Sequence, residues 1–177
     1  MKATTPADAY FGPRLQAACY REDEGLVELL IREKRANVNE GGGHFGNALQ
    51  AALYRGHDGI VARLIAFGAD VNARGGPYGC ALQAACLRGN PSTASVLLQN
   101  GADVDTVGGH YHSPLQAAAF AGQIDIVQML LRAGAGATLT GGGYGGALPA
   151  ACVSGWTDIV VMLLDAGAKA DNSYPRP

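Results

Sequence analysis

The sequence predicts an all-α repeat solenoid, five helix-turn-helix units joined by hairpin-like loops. Three observations carry that prediction. Leu49, Leu82, Leu115 and Leu148 stand 33 residues apart, with Leu15 leading by 34, and a fixed period of this size marks a stacked array. The same text surrounds each leucine: Leu15-Gln-Ala-Ala-Cys, Ala48-Leu-Gln-Ala-Ala, Ala81-Leu-Gln-Ala-Ala-Cys, Pro114-Leu-Gln-Ala-Ala and Ala147-Leu-Pro-Ala-Ala-Cys. A second apolar block follows each time: Leu26-Val27 with Leu30-Ile31, Ile60-Val61 with Leu64-Ile65, Ile126-Val127 with Leu130-Leu131, Ile159-Val160 with Leu163-Leu164. Those pairs share one helical face. The third unit is weaker, with Thr93-Ala94 before Leu97-Leu98, but it keeps the register.

Each element of a unit has its own local reason. In the first helix, small residues such as Ala51-Ala52 and Ala84-Ala85 let neighbouring helices approach closely, while the Ile/Val/Leu block of the second helix fills the layer behind. Glycines 56, 89, 122 and 155 suit the turn between the two helices. Pro91 suits the first turn of a second helix, where its missing N–H costs nothing. Glycines 68, 101, 134 and 167 suit left-handed C-caps. The paired glycines Gly42-Gly43, Gly75-Gly76, Gly108-Gly109 and Gly141-Gly142 then read as hairpin-like loops. This divides a single domain, 1–177, into units of about 10–43, 44–76, 77–109, 110–142 and 143–172, with 173–177 as a tail.

Composition fits thin, closely stacked helices: 48% of residues are hydrophobic and only 16% charged. No segment reaches the length of a membrane span and the N-terminus lacks an apolar signal, so a cytoplasmic protein is expected. Cys19, Cys86 and Cys152 occupy one position, four residues after the leucine, and are expected to be small buried thiols. Cys80 falls in a turn without the paired Cys/His spacing of zinc sites, so reduced thiols and no metal are expected. A net charge of −2 and a short basic set disfavour nucleic acid.

The Gly68-Ala-Asp-Val-Asn ends, the Gly56-His-Asp-Gly-Ile-Val stretch and the period together resemble ankyrin repeats, over about residues 10–172. Where that family commonly carries a Thr-Pro-Leu-His run, this chain has Cys80-Ala81-Leu82-Gln83 and its equivalents, so glutamine must replace the usual hydrogen bonding at the helix start. The Gly-Gly-x-aromatic-Gly-x-Ala-Leu-Gln-Ala-Ala pattern is similar to the ankyrin arrays of fungal incompatibility and NACHT-type receptor proteins. That likeness implies a fungal, intracellular source. The ankyrin resemblance also implies a concave groove, lined by loop tips and the exposed ends of the first helices, as the surface left for recognition.

On that surface the residues five after the leucine are Tyr20, Tyr54, Leu87, Phe120 and Val153, and those six after are Arg21, Arg55, Arg88, Ala121 and Ser154. Stacked units would set Arg21, Arg55 and Arg88 on the order of 10 Å apart on one face. Arginine and tyrosine are hot-spot residues, and arginine pairs bidentately with carboxylate or phosphate. The competing reading has each arginine capping a helix end or answering Glu22, Asp23 and Glu24. The loop aromatics Phe11, Phe45, Tyr78, Tyr111 and Tyr144 recur in every unit and read first as packing between adjacent loops. Tyr78 and Tyr111 remain binding candidates. His110 at its loop tip joins them, and His57 reads as a structural hydrogen bond between loops. His44 and His110 would lie about 20 Å apart, too far for a shared metal.

No catalytic constellation stands out. The glycine runs lack the Lys-Ser/Thr of a phosphate loop, and Ser, His and Asp never fall in an orienting motif, so neither enzyme activity nor a cofactor is expected. The expected role is an adaptor or recognition domain binding a protein partner that carries an acidic segment facing the arginines and an apolar end facing Phe120, Tyr111 and Tyr144. Two alternatives stay open: a small-molecule binder or unorthodox enzyme using an Arg/Tyr-lined groove, and a structural spacer of a larger receptor. The first unit, with Arg21, Glu22, Asp23, Glu24, Glu28, Arg32, Glu33 and Lys34, reads as a polar N-terminal cap. The last has an ordinary interior sequence, so further chain, a second copy or a partner is expected to cover it.

Overall fold

A computed structural model describes residues 13–169; Tyr10, Phe11 and the tail 173–177 lie outside the described residues. Ten helices occur among them, in five pairs: α1 (Arg14–Tyr20) with α2 (Glu24–Arg32), α3 (Ala48–Arg55) with α4 (Asp58–Ala66), α5 (Ala81–Arg88) with α6 (Pro91–Gln99), α7 (Pro114–Phe120) with α8 (Ile124–Arg132), and α9 (Ala147–Ser154) with α10 (Thr157–Asp165). The result is an all-α repeat solenoid. Its first helices, α1, α3, α5, α7 and α9, pack in succession, and the second helices stand further apart behind them. Ala51, Ala52, Ala84, Ala85, Ala117 and Ala118 have essentially no exposed surface, because methyl side chains permit the close approach. Ile60, Leu64, Leu97, Ile126, Leu130, Ile159 and Leu163 fill the layer between the helices of each pair and its neighbours.

Three of the first helices, α3, α5 and α7, start on side-chain caps that the repeat text had hidden. Asn47 Oδ1 accepts from the Gln50 amide at 2.8 Å and Ser113 Oγ from that of Gln116 at 3.2 Å, satisfying one of the orphan donors of a helix start. Cys80 takes the same place, its sulfur 3.5 Å from the Gln83 nitrogen. After the first helix, Gly56, Gly89, Gly122 and Gly155 adopt φ between 73° and 78°. Glu22 occupies this position in the first unit at φ 61°, and its carboxylate reaches His57 Nδ1 at 3.3 Å. The left-handed conformation costs a non-glycine residue about 1–2 kcal/mol, and an exposed contact of this kind returns at most part of that.

The paired glycines do form hairpin-like loops. Antiparallel bridges join Gly42 to Gly46, Gly75 to Gly79 and Gly108 to His112, and Gly141 N donates to Gly145 O at 3.2 Å in the fourth loop. Consecutive hairpins touch backbone to backbone. A Cβ on Gly109 would lie 2.5 Å from the Tyr78 carbonyl carbon. His112 breaks the pattern: it adopts φ 66° where the other loops use glycine, and its ring packs directly against Gly141.

Three series of polar side chains staple each unit to the next. Gln16, Gln50, Gln83 and Gln116 are buried, and each amide donates forward to the following loop: Gln16 to Gly42 O at 2.9 Å, Gln50 to Ala73 O at 3.2 Å, Gln116 to Gly141 O at 3.4 Å. Gln83 reaches Gly108 O, His112 O and Thr106 O at 3.0, 3.1 and 3.3 Å. These bonds replace the helix-start pattern that glutamine displaced. Asn39 and Asn72 form a clasp each, donating to Gly68 O and Gly101 O while accepting from Asp70 N and Asp103 N, all at 2.7–3.0 Å. The third series lies at the start of the second helix, where His57 Nε2 is 3.1 Å from Tyr20 O and Trp156 Nε1 donates to Phe120 O at 3.0 Å.

One expectation changes. Cys152 is exposed while Cys19 and Cys86 are buried, because no described helix covers the outer side of α9 as α3 covers α1. The charges of the first unit also tie it to the second: Glu24 and Glu28 meet Arg63 of α4 at 3.0 and 3.5 Å, and Arg32 pairs with Glu28 along α2.

Candidate groove face

The ends of the first helices and the hairpins that follow them place the aromatic side chains in a zigzag. Tyr20, at the end of α1, stacks on Phe45 with centroids 5.0 Å apart, Phe45 meets Tyr54 at 5.0 Å, and Tyr54 meets Tyr78 at 5.8 Å. A second run joins Tyr111 to Phe120 at 5.2 Å and Phe120 to Tyr144 at 4.8 Å. Offset and tilted ring pairs at these distances add about 0.5–1.5 kcal/mol each beyond the area they bury. The loop aromatics therefore pack chiefly against the ring on the adjoining helix, although Tyr111 and Tyr144 also stack loop to loop at 6.3 Å. Packing between adjacent loops thus occurs at Tyr111 and Tyr144, and the ring at the helix end is the partner that the expectation left out. Phe45 is 1% exposed and is a core residue, whereas Tyr20, Tyr54, Tyr78, Tyr111, Phe120 and Tyr144 are half-buried and present an edge to solvent.

Arg21, Arg55 and Arg88 all lie exposed beside this floor. The Arg55 guanidinium carbon sits 5.0 Å from the Tyr20 ring centroid, a cation–π contact across the first unit boundary. Arg88 leans back in the same sense, with Nη2 4.0 Å from where a Cβ would stand on Gly56. Both guanidiniums thus approach the carbonyl end of the preceding first helix, where a positive charge is favoured. Glu22, Glu24 and Glu28 of the first unit are answered by His57, Arg63 and Arg32, Asp23 accepts from the Leu26 amide, and among the described residues neither Arg55 nor Arg88 forms an ion pair. His110 is exposed at its loop tip, its ring edge-on to Tyr111 at 5.0 Å. Burial pushes the Tyr78 phenol above its ordinary pKa, with Tyr54 adding to the rise and Arg88 opposing it. Burial does the same to Tyr111, with Tyr144 adding.

The structure brings Tyr20, Tyr54, Arg55 and Tyr78 into one cluster and His110, Tyr111 and Phe120 into another. By repeat position, Leu87 falls between them. Sequence reasoning anticipated that glutamine would take over hydrogen bonding and that His57 would bond between units, but it missed the forward targets of the glutamines, the asparagine clasps and the Trp156 bond; the recurrence of Asn39, Asn72 and Asp105 every 33 residues was the signal for the clasps. A cavity of about 480 Å³ lies at the N-terminal end of the array, lined by residues such as Pro13, Leu15, Leu29 and Lys34, away from the arginine and tyrosine clusters. Among the described residues, no group of three or more His, Cys, Asp or Glu is placed to hold a metal ion, and no helix is long and apolar enough to cross a membrane.

A family model described as ankyrin repeats (3 copies) matches residues 15–108 and again 84–174. No curated protein matches the chain. With almost the whole sequence covered, the helix-pair solenoid and its period agreeing, the chain belongs to the ankyrin repeat family, whose repeats are generally protein–protein interaction modules.

Proposed function

We propose that this chain is an adaptor or recognition domain whose groove face binds a protein partner in extended form. Arg21, Arg55 and Arg88 meet an acidic segment, and the rings around Tyr111, Phe120 and Tyr144 meet an apolar one. The observation that carries this reading is the pair Arg55 and Arg88, exposed beside half-buried tyrosines and without a carboxylate partner among the described residues. Arginine in such a setting offers a fixed fork to an incoming carboxylate, next to aromatic area that binds at low entropic cost. Tyr20, Tyr54, Tyr78 and His110 line the same face. This reading sets the chain in the cytoplasm, and the likeness of its repeat text to the arrays of fungal NACHT-type receptors supports a role within such a receptor.

The test is a pull-down read by mass spectrometry, comparing wild type with the Arg21→Glu, Arg55→Glu, Arg88→Glu triple variant. A protein retained by the first and lost by the second supports the reading. Equal retention sinks it, and would leave the array as a spacer or move recognition to another face.

A further inference from the structure

The aromatic zigzag is interrupted once, and the interruption has a chemical shape. Tyr54 touches rings on both sides, Phe45 at 5.0 Å and Tyr78 at 5.8 Å, and Phe120 does the same with Tyr111 at 5.2 Å and Tyr144 at 4.8 Å. Leu87 holds the equivalent place between Tyr78 and Tyr111. Leucine ends at its methyl groups, short of where a ring would reach, and no ring contact of the kind that links the other members joins Tyr78 to Tyr111 directly. By that register, the space over Leu87 forms a notch with an aliphatic floor and a phenol on either side. Tyr78 and Tyr111 are half-buried, so both keep an edge open. The next residue along α5 is Arg88, exposed at the rim and close enough to Tyr78 for its charge to act on the phenol.

We infer that the partner of this face inserts an aromatic side chain over Leu87, between Tyr78 and Tyr111, with a neighbouring carboxylate on Arg88. This rests on the groove reading above and narrows it to one motif, an aromatic residue beside Asp or Glu in an extended peptide. A ring is favoured over an aliphatic side chain because it completes ring contacts on both sides, whose energy exceeds that of the buried area alone. The acidic neighbour follows from charge complementarity: a guanidinium with no ion partner among the described residues pairs bidentately with a carboxylate.

The experiment is selection of phage-displayed random peptides on the full chain, followed by titration of the enriched peptides against variants. Leu87→Tyr fills the notch with the residue the second unit already carries at Tyr54, so the fold tolerates it, and thermal melting verifies this. Enriched peptides with an aromatic next to Asp or Glu, weakened about tenfold or more by Leu87→Tyr and by Arg88→Glu, would support the inference. Peptides that need the arginines but bind Leu87→Tyr unchanged would overturn it and leave the groove reading standing. Peptides indifferent to the Arg21, Arg55, Arg88 triple variant would overturn both. No enrichment over the Leu87→Tyr, Arg88→Glu double variant would also overturn the inference, with the pull-down still deciding the broader reading.

Discussion

The boundary between the first and second units and that between the fourth and fifth are built from the same kinds of helix, yet they are held differently. At the first, Gln16 and Asn39 staple forward, Arg63 ties α4 back to Glu24 and Glu28, and His57 bridges Tyr20 and Glu22. At the last, Gln116 makes one long bond to Gly141 and Trp156 donates to Phe120 O. Thr138 stands where Asn39 and Asn72 form clasps, and Asp105 retains half of one, accepting from Gly136 N at 2.9 Å. Pro149 stands where the other units have the stapling glutamine. Apolar stacking is nearly uniform along the array, whereas polar stapling thins toward its C-terminal end. Burial, which has no direction, sets how units stack; hydrogen bonds at about 1 kcal/mol net each set how firmly a given pair is registered. The arginines lie in the well-stapled part, and the outward apolar residues Val153, Val161 and Leu164, 64%, 52% and 46% exposed, lie in the other.

The largest contrast should appear in thiol reactivity. Cys19 and Cys152 hold the same repeat position, one buried and one exposed, and burial pushes the Cys19 thiol up from 9.0 to about 12. Because the thiolate is the reactive form, native-state labelling of Cys19 should be slower by about a thousandfold or more. Labelling at pH 8, followed by peptide mass mapping, checks this; comparable rates would show that the first unit opens as freely as the last.

Replacing the staples should give a smaller, graded loss. Gln83→Leu removes an amide whose two N–H protons are shared among three carbonyls and should cost about 2 kcal/mol, while Gln116→Leu removes one bond of 3.4 Å and should cost about 1 kcal/mol or less. Urea unfolding of both variants decides, and equal losses would contradict a graded array. The smallest effect runs the other way. Asp105→Asn supplies the amide donor that Asn39 and Asn72 use, with Gly134 O as the corresponding acceptor, and should stabilise by about 0.5–1 kcal/mol in thermal unfolding. A destabilised variant would mean that the Asp105 carboxylate matters more to Gly136 N than the restored clasp does.

The fold was legible because each of its causes is local and repeated. Glycines at left-handed turns, Pro91 at the first turn of α6 and the apolar blocks could be placed by spacing alone, and they are where that spacing put them. Glu22 was not legible as a turn residue, since nothing short of the backbone shows a non-glycine at φ 61°. The face that the arginines and rings share was legible as residue types at one repeat position. Its grouping was not: Phe45 reads like Tyr78 and Tyr111 in the text but is buried among Tyr20 and Tyr54.

By itself, then, the sequence determined the period, the helix pairs, the turns and the list of side chains on the groove face, because these follow from helical geometry and from residue-specific backbone preferences within a single unit. Only the tertiary structure decided which atoms meet across units. Gln83 to three carbonyls, Asn39 to Gly68 and Asp70, and Arg63 to two acids each depend on how one unit is set against the next. That placement comes from close packing of alanine-rich helices, a sum of many weak contacts that no single repeat encodes.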